Sequence, residues 1–124
     1  MERIICIIIG YIFGLFQTGY IYGRINHVDI REFGSGNAGT TNAMRVLGKK
    51  AGIITYVGDC FKAVFASILI YFIFRSVSPE YLFLLKIYGG VGVILGHNFP
   101  FYMKFKGGKG IAASSGVILG LFDF

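Results

Sequence analysis

A glycine-rich segment with five polar side chains, residues 34–42, has residue types suited to binding an anion. Glycines let consecutive backbone N–H groups converge on an anion, and a helix beginning near Thr40 would direct the positive end of its dipole to the same place. The guanidinium of Arg45 can hold a phosphate through two parallel hydrogen bonds. The segment therefore predicts a phosphate-binding turn, and a flexible polar connector is the alternative. The residues expected to bind phosphate are Gly34, Gly36, Asn37, Gly39, Thr41 and Asn42, with Ser35 as a further donor.

A second glycine-rich segment, residues 104–110, carries three lysines and no acidic residue. Lys109 lies between glycines, and an apolar run begins directly afterwards at Ile111. A lysine and bare backbone amides at the N-terminus of a helix suit phosphate again. Two such segments indicate two phosphates or one large phosphorylated substrate. The binding residues expected here are Lys104, Lys106, Gly107, Gly108, Lys109 and Gly110.

The first segment also fits the G-x-G-x-x-G pattern of dinucleotide-binding proteins, and Asp59 follows its last glycine by twenty residues. That pattern requires a short buried strand directly before the first glycine, whereas residues 26–33 are mostly polar and charged. Apolar sequence also continues well past Asp59. A dinucleotide site is therefore disfavoured. The phosphate loop of nucleotide triphosphatases is a near match, but Thr40 stands where its lysine should be.

Asp59 and Lys62 lie inside an apolar run, three residues apart and hence on one face of a helix. An ionisable pair inside a membrane is costly unless its members satisfy each other. The pair has either a functional or an architectural role, and the sequence leaves both open. His97 has no carboxylate that clearly pairs with it in the sequence, and no set of metal ligands is visible.

The elements that must position these segments are membrane-spanning helices. Apolar residues make up 55% of the 124-residue chain and charged residues 15%, with a mean hydropathy of +0.69; a soluble domain carries about a quarter charged residues. Runs at 4–23, 52–74 and 81–99 are long enough to cross a bilayer as helices. A fourth run begins near Ile111 and is too short to cross. The sequence predicts an all-α integral membrane protein, a polytopic helix bundle with three full transmembrane helices and a partial fourth, in a single domain over 1–124.

The net positive charge is confined to two connections between the runs. Residues 24–50 carry a net charge of +3 and residues 104–110 another +3, which together equal the +6 of the whole chain. Because two spans separate these connections, both lie on one face of the membrane, and their excess of lysine and arginine predicts the cytoplasmic face, with the N-terminus outside. The charge serves topology, and it would also concentrate phosphate-bearing ligands. We expect membrane lipids around the chain and no nucleic-acid partner.

With these motifs in order along essentially its whole length, the chain resembles the PlsY family, the integral-membrane glycerol-3-phosphate acyltransferases that use acyl phosphate as donor. The most specific motif is FKGGKG at 105–110. The chain departs from the family at Ala63, where glycine is usual after the lysine that corresponds to Lys62. The residues that carry the resemblance are Gly23-Arg24, Asp29-Ile30-Arg31, GSGNAGTTN at 34–42, Arg45, LGKKAG at 47–52, Asp59, Lys62, Gly96-His97, Phe99-Pro100 and FKGGKG.

The resemblance implies a bacterial inner-membrane enzyme with seven spans, of which this chain is the N-terminal portion, an incomplete acyltransferase domain. Members of the family transfer a fatty acyl group from acyl phosphate to the first hydroxyl of glycerol 3-phosphate and form lysophosphatidic acid, without acyl-CoA, metal or another cofactor. The resemblance implies that His97 binds substrate, that Lys104 and Lys109 neutralise the donor phosphate, and that Ser35, Arg45 and Asn42 orient the two anions. The residues expected to be catalytic are Ser35, Arg45, Lys104 and Lys109.

The sequence leaves two other functions open. The basic glycine-rich segments could gate a small anion transporter or channel subunit, or the chain could be a truncated, non-catalytic remnant of the enzyme.

Overall fold

The computed structural model describes residues 1–103 and 111–121, and within them the chain is helical without a strand. Three segments are long and apolar enough to cross a membrane, and a shorter apolar helix follows them. The predicted fold class is therefore confirmed, and the sheet that a dinucleotide fold needs is missing from the described residues. The helices are α1 (Glu2–Gly14), α2 (Thr18–Ile25), α3 (Thr40–Leu47), α4 (Lys49–Phe74), α5 (Pro79–Asn98) and α6 (Ile111–Leu121), with 3₁₀ turns at Ile30–Glu32 and Phe101–Met103.

The first span is broken where its sequence becomes polar. α1 ends at Gly14 and α2 begins at Thr18, while Gln17 between them has an extended backbone with φ −103° and ψ 93°. The sequence predicted an almost continuous run over 4–23, and the structure divides it into two helices. Such a break leaves carbonyl groups at the end of α1 and N–H groups at the start of α2 without helical partners. Buried groups of this kind need partners elsewhere in the molecule.

α1 packs closely along α5 because glycines remove side chains from their interface. A β-carbon on Gly92 would overlap the carbonyl oxygen of Ile7, and a β-carbon on Gly96 would overlap that of Tyr11. Small residues spaced four apart let two helix backbones approach in this way. The contact places the broken end of α1 against the last turns of α5.

The connection between α2 and α4 folds around a small apolar cluster of its own. Ile30, Ala38 and Ala43 are fully buried there, so the glycine-rich loop is held against the start of α3. Gly48, with φ 101°, then lets the chain turn directly from α3 into α4. Positive φ of this size is easy only for glycine. The residues that pack around the cluster are Tyr20, Val28, Val46 and Leu47.

Large apolar side chains cover the outer surfaces of the spans. Ile4, Ile8 and Ile12 are all exposed on one face of α1, and Phe61 and Phe65 are exposed on α4. An apolar surface of this extent is suited to lipid rather than water. The polar side chains of Asp59, Lys62 and His97, by contrast, are buried within the bundle.

Candidate active site

A cavity of about 360 Å³ lies between the glycine-rich loop, α3 and the neighbouring parts of α4, α5 and α6. It brings together most of the residues of the first predicted phosphate-binding segment with residues from the membrane spans. The residues that line it are Ser35, Asn37, Gly39, Thr40, Thr41, Asn42, Arg45, Tyr56, Asp59, His97 and Ala112.

The cavity has an exposed side and a buried side. Ser35, Thr41 and Arg45 are exposed to solvent, whereas Asp59 and His97 are 1% and 2% exposed. The cationic guanidinium of Arg45 therefore lies on the side of the cavity that is open to water. The buried groups lie among the spans, where electrostatic interactions are screened less.

Asn42 holds the glycine-rich loop in shape. Its Nδ2 group donates to the carbonyl oxygens of Ile30 (2.8 Å) and Phe33 (3.1 Å). The same group donates to the carbonyl oxygen of Asn37 (2.9 Å), and Oδ1 accepts from the backbone N–H of Ser35 (3.0 Å). Both polar atoms of this buried side chain are therefore engaged within the loop. Direct binding of phosphate by Asn42 stays a prediction, and the contacts favour a role through the loop.

Gly34 and Gly36 do not line the cavity; they allow the backbone of the loop to turn. Their φ angles are 55° and 77°, a region that residues with a β-carbon rarely adopt. A β-carbon on Gly34 would also overlap Oδ1 of Asn42. Binding of phosphate by the amides of these glycines stays a prediction, and their φ angles show a conformational need for glycine.

The N-terminus of α3 lies at the cavity, and α3 begins at Thr40 as predicted. Oδ1 of Asn37 accepts from the backbone N–H of Gly39 (2.8 Å), and Oγ of Ser35 accepts from that of Asn37 (3.3 Å). These bonds fix the approach to the helix. The first N–H groups of a helix have no acceptor within it and carry partial positive charge. Because Gly39, Thr40 and Thr41 line the cavity, this end of α3 favours an anion there.

Arg31, a second arginine of this connection, is held by Asp29. Its Nε and Nη2 donate to the two carboxylate oxygens at 3.0 and 2.8 Å, and its guanidinium lies 4.6 Å from the centre of the Tyr20 ring. The hydrogen bonds from Arg31 lower the pKa of the Asp29 carboxyl, and the bond to Asp29 raises the pKa of Arg31. The pair stabilises the entry to the loop, and of the two arginines only Arg45 lines the cavity.

Asp59, Lys62 and His97 form a buried cluster between α4, α5 and the break in the first span. Nζ of Lys62 lies 3.4 Å from Oδ1 of Asp59 and 2.7 Å from Nδ1 of His97. It also donates to the carbonyl oxygens of Gly14 (3.1 Å) and Phe16 (2.6 Å), which have no helical partner at the end of α1. Nε2 of His97 lies 3.9 Å from Oδ2 of Asp59.

The charges of this cluster match the two helix ends at the break. Lys62 lies at the C-terminal, negative end of α1, and the Asp59 carboxylate lies near Thr18 at the positive start of α2. Nε2 of Gln17 also donates to the carbonyl oxygen of His97 (2.8 Å). The pair thus has an architectural role, and it lies against a cavity-lining histidine as well.

The second glycine-rich segment, 104–110, lies outside the described residues, so the positions predicted in it stay predictions. These are Lys104, Lys106, Gly107, Gly108, Lys109 and Gly110. Ala112, two residues after the segment, lines the cavity.

Three features of the site were missed in the sequence. Gln17 was treated as an interruption of a span, and Asp59 was not recognised as the carboxylate near His97, because the residues of each contact lie in different spans. Tyr56 lines the cavity and donates from its hydroxyl to Oγ of Ser115 (3.0 Å). Its position three residues before Asp59, on the same face of α4, was a usable signal. Within residues 1–103 and 111–121, no group of three histidine, cysteine or acidic residues could hold a metal ion.

A family model described as glycerol-3-phosphate acyltransferase matches residues 4–123. Among curated proteins, glycerol-3-phosphate acyltransferase 2 of Lactobacillus acidophilus is 49% identical over 114 residues, covering 91% of this chain and 52% of that protein. Glycerol-3-phosphate acyltransferase of Streptococcus thermophilus is 45% identical over 122 residues, covering 97% and 54%. The chain thus spans about half the length of these relatives.

Two crystal structures of PlsY (YgiH), an integral membrane glycerol 3-phosphate acyltransferase, are similar to this fold. The glycerol 3-phosphate form has a TM-score of 0.79 at 32% identity and covers 98% of this chain and 58% of its own. The lysophosphatidic acid form has a TM-score of 0.78 at 31% identity, with 98% and 57% covered.

Proposed function

The chain belongs to the glycerol-3-phosphate acyltransferase family, and on this premise we propose that the protein transfers a fatty acyl group from acyl phosphate to glycerol 3-phosphate. The product is lysophosphatidic acid, a precursor of phospholipids. The observation that carries the proposal is the cavity, where the N-terminus of α3, the guanidinium of Arg45 and the neutral donors of the glycine-rich loop meet. Such a cavity suits a phosphate ester that reaches the membrane from water.

The relatives support the choice of substrates. The curated proteins similar to this chain are named for glycerol-3-phosphate acyl transfer, and the PlsY crystal structures are described as its glycerol 3-phosphate and lysophosphatidic acid forms. We extend the same acceptor and product to this protein. Acyl phosphate as the donor follows from the resemblance of the sequence motifs.

The residues that line the cavity bind one anion, and the segment 104–110 binds a second. Arg45 binds a phosphate bidentately, with Ser35 and Thr41 as neutral donors. Lys104 and Lys109, with the glycines beside them, neutralise the other phosphate. Asn42 contributes by keeping the loop in the shape that presents these donors.

The reaction needs positioning more than activation. The first hydroxyl oxygen of glycerol 3-phosphate attacks the acyl carbonyl carbon, a new C–O ester bond forms, and the bond from that carbon to the phosphate oxygen breaks. Inorganic phosphate leaves with the bonding electron pair and accepts the hydroxyl proton. Acyl phosphate is already an activated donor, so the site orients the hydroxyl and stabilises the departing phosphate. The chain's own basic residues and amides supply both effects without a cofactor.

The membrane spans and the charge distribution support a location in the bacterial inner membrane. The three spans alternate across the bilayer, so the connection that carries the glycine-rich loop and the segment 104–110 share a side. Their excess of lysine and arginine supports a cytoplasmic location for that side, with the N-terminus outside. Residues 1–124 then form the N-terminal part of an acyltransferase domain.

A product assay tests the proposal. It uses this chain and an extended chain, which continues with the C-terminal part present in the relatives. With the extended chain, radiolabelled glycerol 3-phosphate is expected to become extractable into organic solvent when acyl phosphate is supplied, and not when acyl-CoA replaces it. Label that stays in the water phase in both cases contradicts the proposal.

The same preparations distinguish the other two functions. An anion transporter would carry labelled glycerol 3-phosphate into vesicles without acyl phosphate and without a lipid product. If the extended chain forms lipid and the 124-residue chain does not, the activity requires the additional spans.

A further inference from the structure

We propose that Lys62 is a positioning residue that holds His97 in the tautomer with its proton on Nε2, so that the ring offers a hydrogen-bond donor to the phosphate in the cavity. The inference rests on the proposed function, because it describes how His97 takes part in that reaction.

The donors and acceptors around Lys62 set the tautomer. An alkylammonium has three N–H donors and no acceptor. Nζ of Lys62 lies 2.6 Å from the carbonyl oxygen of Phe16, 3.1 Å from that of Gly14 and 2.7 Å from Nδ1 of His97. The three protons of Nζ therefore meet three acceptors within 3.1 Å, and Oδ1 of Asp59 lies farther away, at 3.4 Å. Because Nζ can only donate, Nδ1 must accept, and a neutral imidazole with an unprotonated Nδ1 carries its proton on Nε2.

A doubly protonated His97 does not fit this arrangement. Its Nδ1–H would point at the N–H groups of Lys62, and two positive charges would stand 2.7 Å apart. Both side chains are at least 95% buried, where water screens such repulsion poorly. The contact therefore keeps His97 neutral as well as selecting its tautomer.

The second ring nitrogen faces Asp59, one of the residues that line the cavity. Nε2 of His97 lies 3.9 Å from Oδ2 of Asp59, which is too long for a hydrogen bond. Asp59 and His97 both line the cavity, and of the two ring nitrogens only Nε2 is left to donate to a phosphate oxygen there. The nearby carboxylate favours the N–H electrostatically without taking its proton.

Lys62 is itself held by the break in the first span. Two of its protons go to the carbonyl groups that the break leaves at the end of α1, and Asp59 compensates its charge from one turn earlier on α4. Gln17, also at the break, donates to the main-chain carbonyl of His97. The ring and the backbone of His97 are therefore both fixed by groups at the break.

A purely architectural Lys62 would stabilise the break and leave the tautomer of His97 unconstrained, so the tautomer is the decisive measurement. The chain has only two histidines, and His27 is exposed. In the protein labelled with ¹⁵N in its histidine rings, comparison with a His27→Gln variant assigns the His97 signals. We expect one tautomer, with proton couplings to Nε2 and none to Nδ1. A protonated Nδ1 in the unsubstituted protein would overturn the proposal.

Three variants then separate positioning from folding. Lys62→Met should populate both tautomers and lower kcat on the order of 10²-fold, the effect of losing one transition-state donor, with a smaller change in KM for glycerol 3-phosphate. Lys62→Arg should keep the tautomer, because a guanidinium also only donates. Gln17→Met removes a hydrogen bond at the break without affecting the contact at Nδ1 of His97, so it should keep the tautomer as well.

The outcomes that contradict the proposal are distinct from failure of the proposed function. A Lys62→Met protein with a single Nε2–H tautomer and unchanged kcat overturns it, and so does a Lys62→Arg protein that loses the tautomer. If Lys62→Met does not fold, the unsubstituted protein and Lys62→Arg still decide the matter. If the extended chain makes no lysophosphatidic acid while His97 shows the expected tautomer, the proposed function fails and the Lys62–His97 relation stands.

Discussion

Two arginines of the same connection have different roles, and their contacts explain the difference. Arg31 is bound through two nitrogens by Asp29 and covered by Tyr20, so its charge is used within the loop. Arg45 is exposed at the cavity on α3. The sequence contains both side chains without indicating which is available. We therefore propose the ligand-binding role for Arg45.

Replacing Arg45 by methionine in the extended chain is expected to lower kcat/KM for glycerol 3-phosphate about 10²–10³-fold, because the site loses a charge-assisted donor to phosphate. Arg75→Met is the matched control, since Arg75 is exposed at the far end of α4. Initial rates of lipid formation over a range of acceptor concentrations measure both. Activity of Arg45→Met at the level of Arg75→Met would remove Arg45 from the site.

Asn42 and Asn37 provide a paired test of the loop, because the same substitution should have opposite results. Asn42→Asp replaces a group that donates to three carbonyl oxygens with one that can only accept, so we expect a loss of about 2–4 kcal/mol in unfolding free energy. Asn37→Asp keeps the acceptor for the N–H of Gly39 and should be nearly neutral. Denaturation of both purified variants in one detergent compares them. Equal losses would contradict the assigned contacts.

The pair of Asp29 and Arg31 makes the free energy of unfolding depend on pH. The hydrogen bonds from Arg31 lower the pKa of Asp29, so the pair stabilises the fold above the ordinary carboxyl pKa of about 4. This stabilisation disappears as the pH falls through the lowered value. We expect Asp29→Asn to reduce the melting temperature at pH 6. The corresponding loss of unfolding free energy should be less than about 1 kcal/mol, because the pair is partly exposed.

The difference from the unsubstituted protein should shrink below about pH 4. In an Arg31→Met background, Asp29→Asn should have little effect at any pH. A difference that grows as the pH is lowered would contradict the pairing.

At the scale of elements, helix positions followed from the sequence more closely than their ends and contacts. The spans and the start of α3 at Thr40 were predicted because apolar length and glycine followed by threonines are local signals. The contact that Gln17 makes at the break was not predicted, because its partner His97 lies 80 residues further along the chain. A local pattern indicates that a polar residue interrupts a span; it does not identify the groups that satisfy the interruption.

The contact of α1 with α5 can be tested at Gly92. Gly92→Ala adds a β-carbon that overlaps the carbonyl oxygen of Ile7, although alanine favours a helix by about 1 kcal/mol over glycine. We expect a net loss of about 1–3 kcal/mol from overpacking. Val91→Ala, at an exposed neighbouring position, is the control and should not disturb this contact. Thermal unfolding in detergent measures both, and an unchanged or raised midpoint for Gly92→Ala would contradict the close packing.

At the scale of the whole molecule, the proposed reaction requires both glycine-rich segments on one side of the membrane. Helix α4 and helix α5, each long and apolar enough to cross a membrane, lie between them in the chain, so two crossings would return the chain to the same side. A shared side depends only on the number of spans between the two segments, which the sequence already indicated. The distance between the two segments does not follow from the number of spans, because it depends on how the spans pack.

Cysteine labelling tests that common side directly. The two native cysteines are first removed by Cys6→Ala and Cys60→Ala. Single cysteines then replace Lys50 at the start of α4, Lys109 in the second segment, or Ser76 in the exposed turn between α4 and α5. A membrane-impermeant maleimide should react with Ser76→Cys in right-side-out vesicles. It should react with Lys50→Cys and Lys109→Cys only in inverted vesicles, because two spans separate those lysines and one span separates each from the turn. Detergent permeabilisation should make all three reactive, which controls for burial. If Lys50→Cys and Lys109→Cys react from opposite sides, the two segments cannot share a pocket, and neither the acyl transfer nor the role of His97 in it can stand.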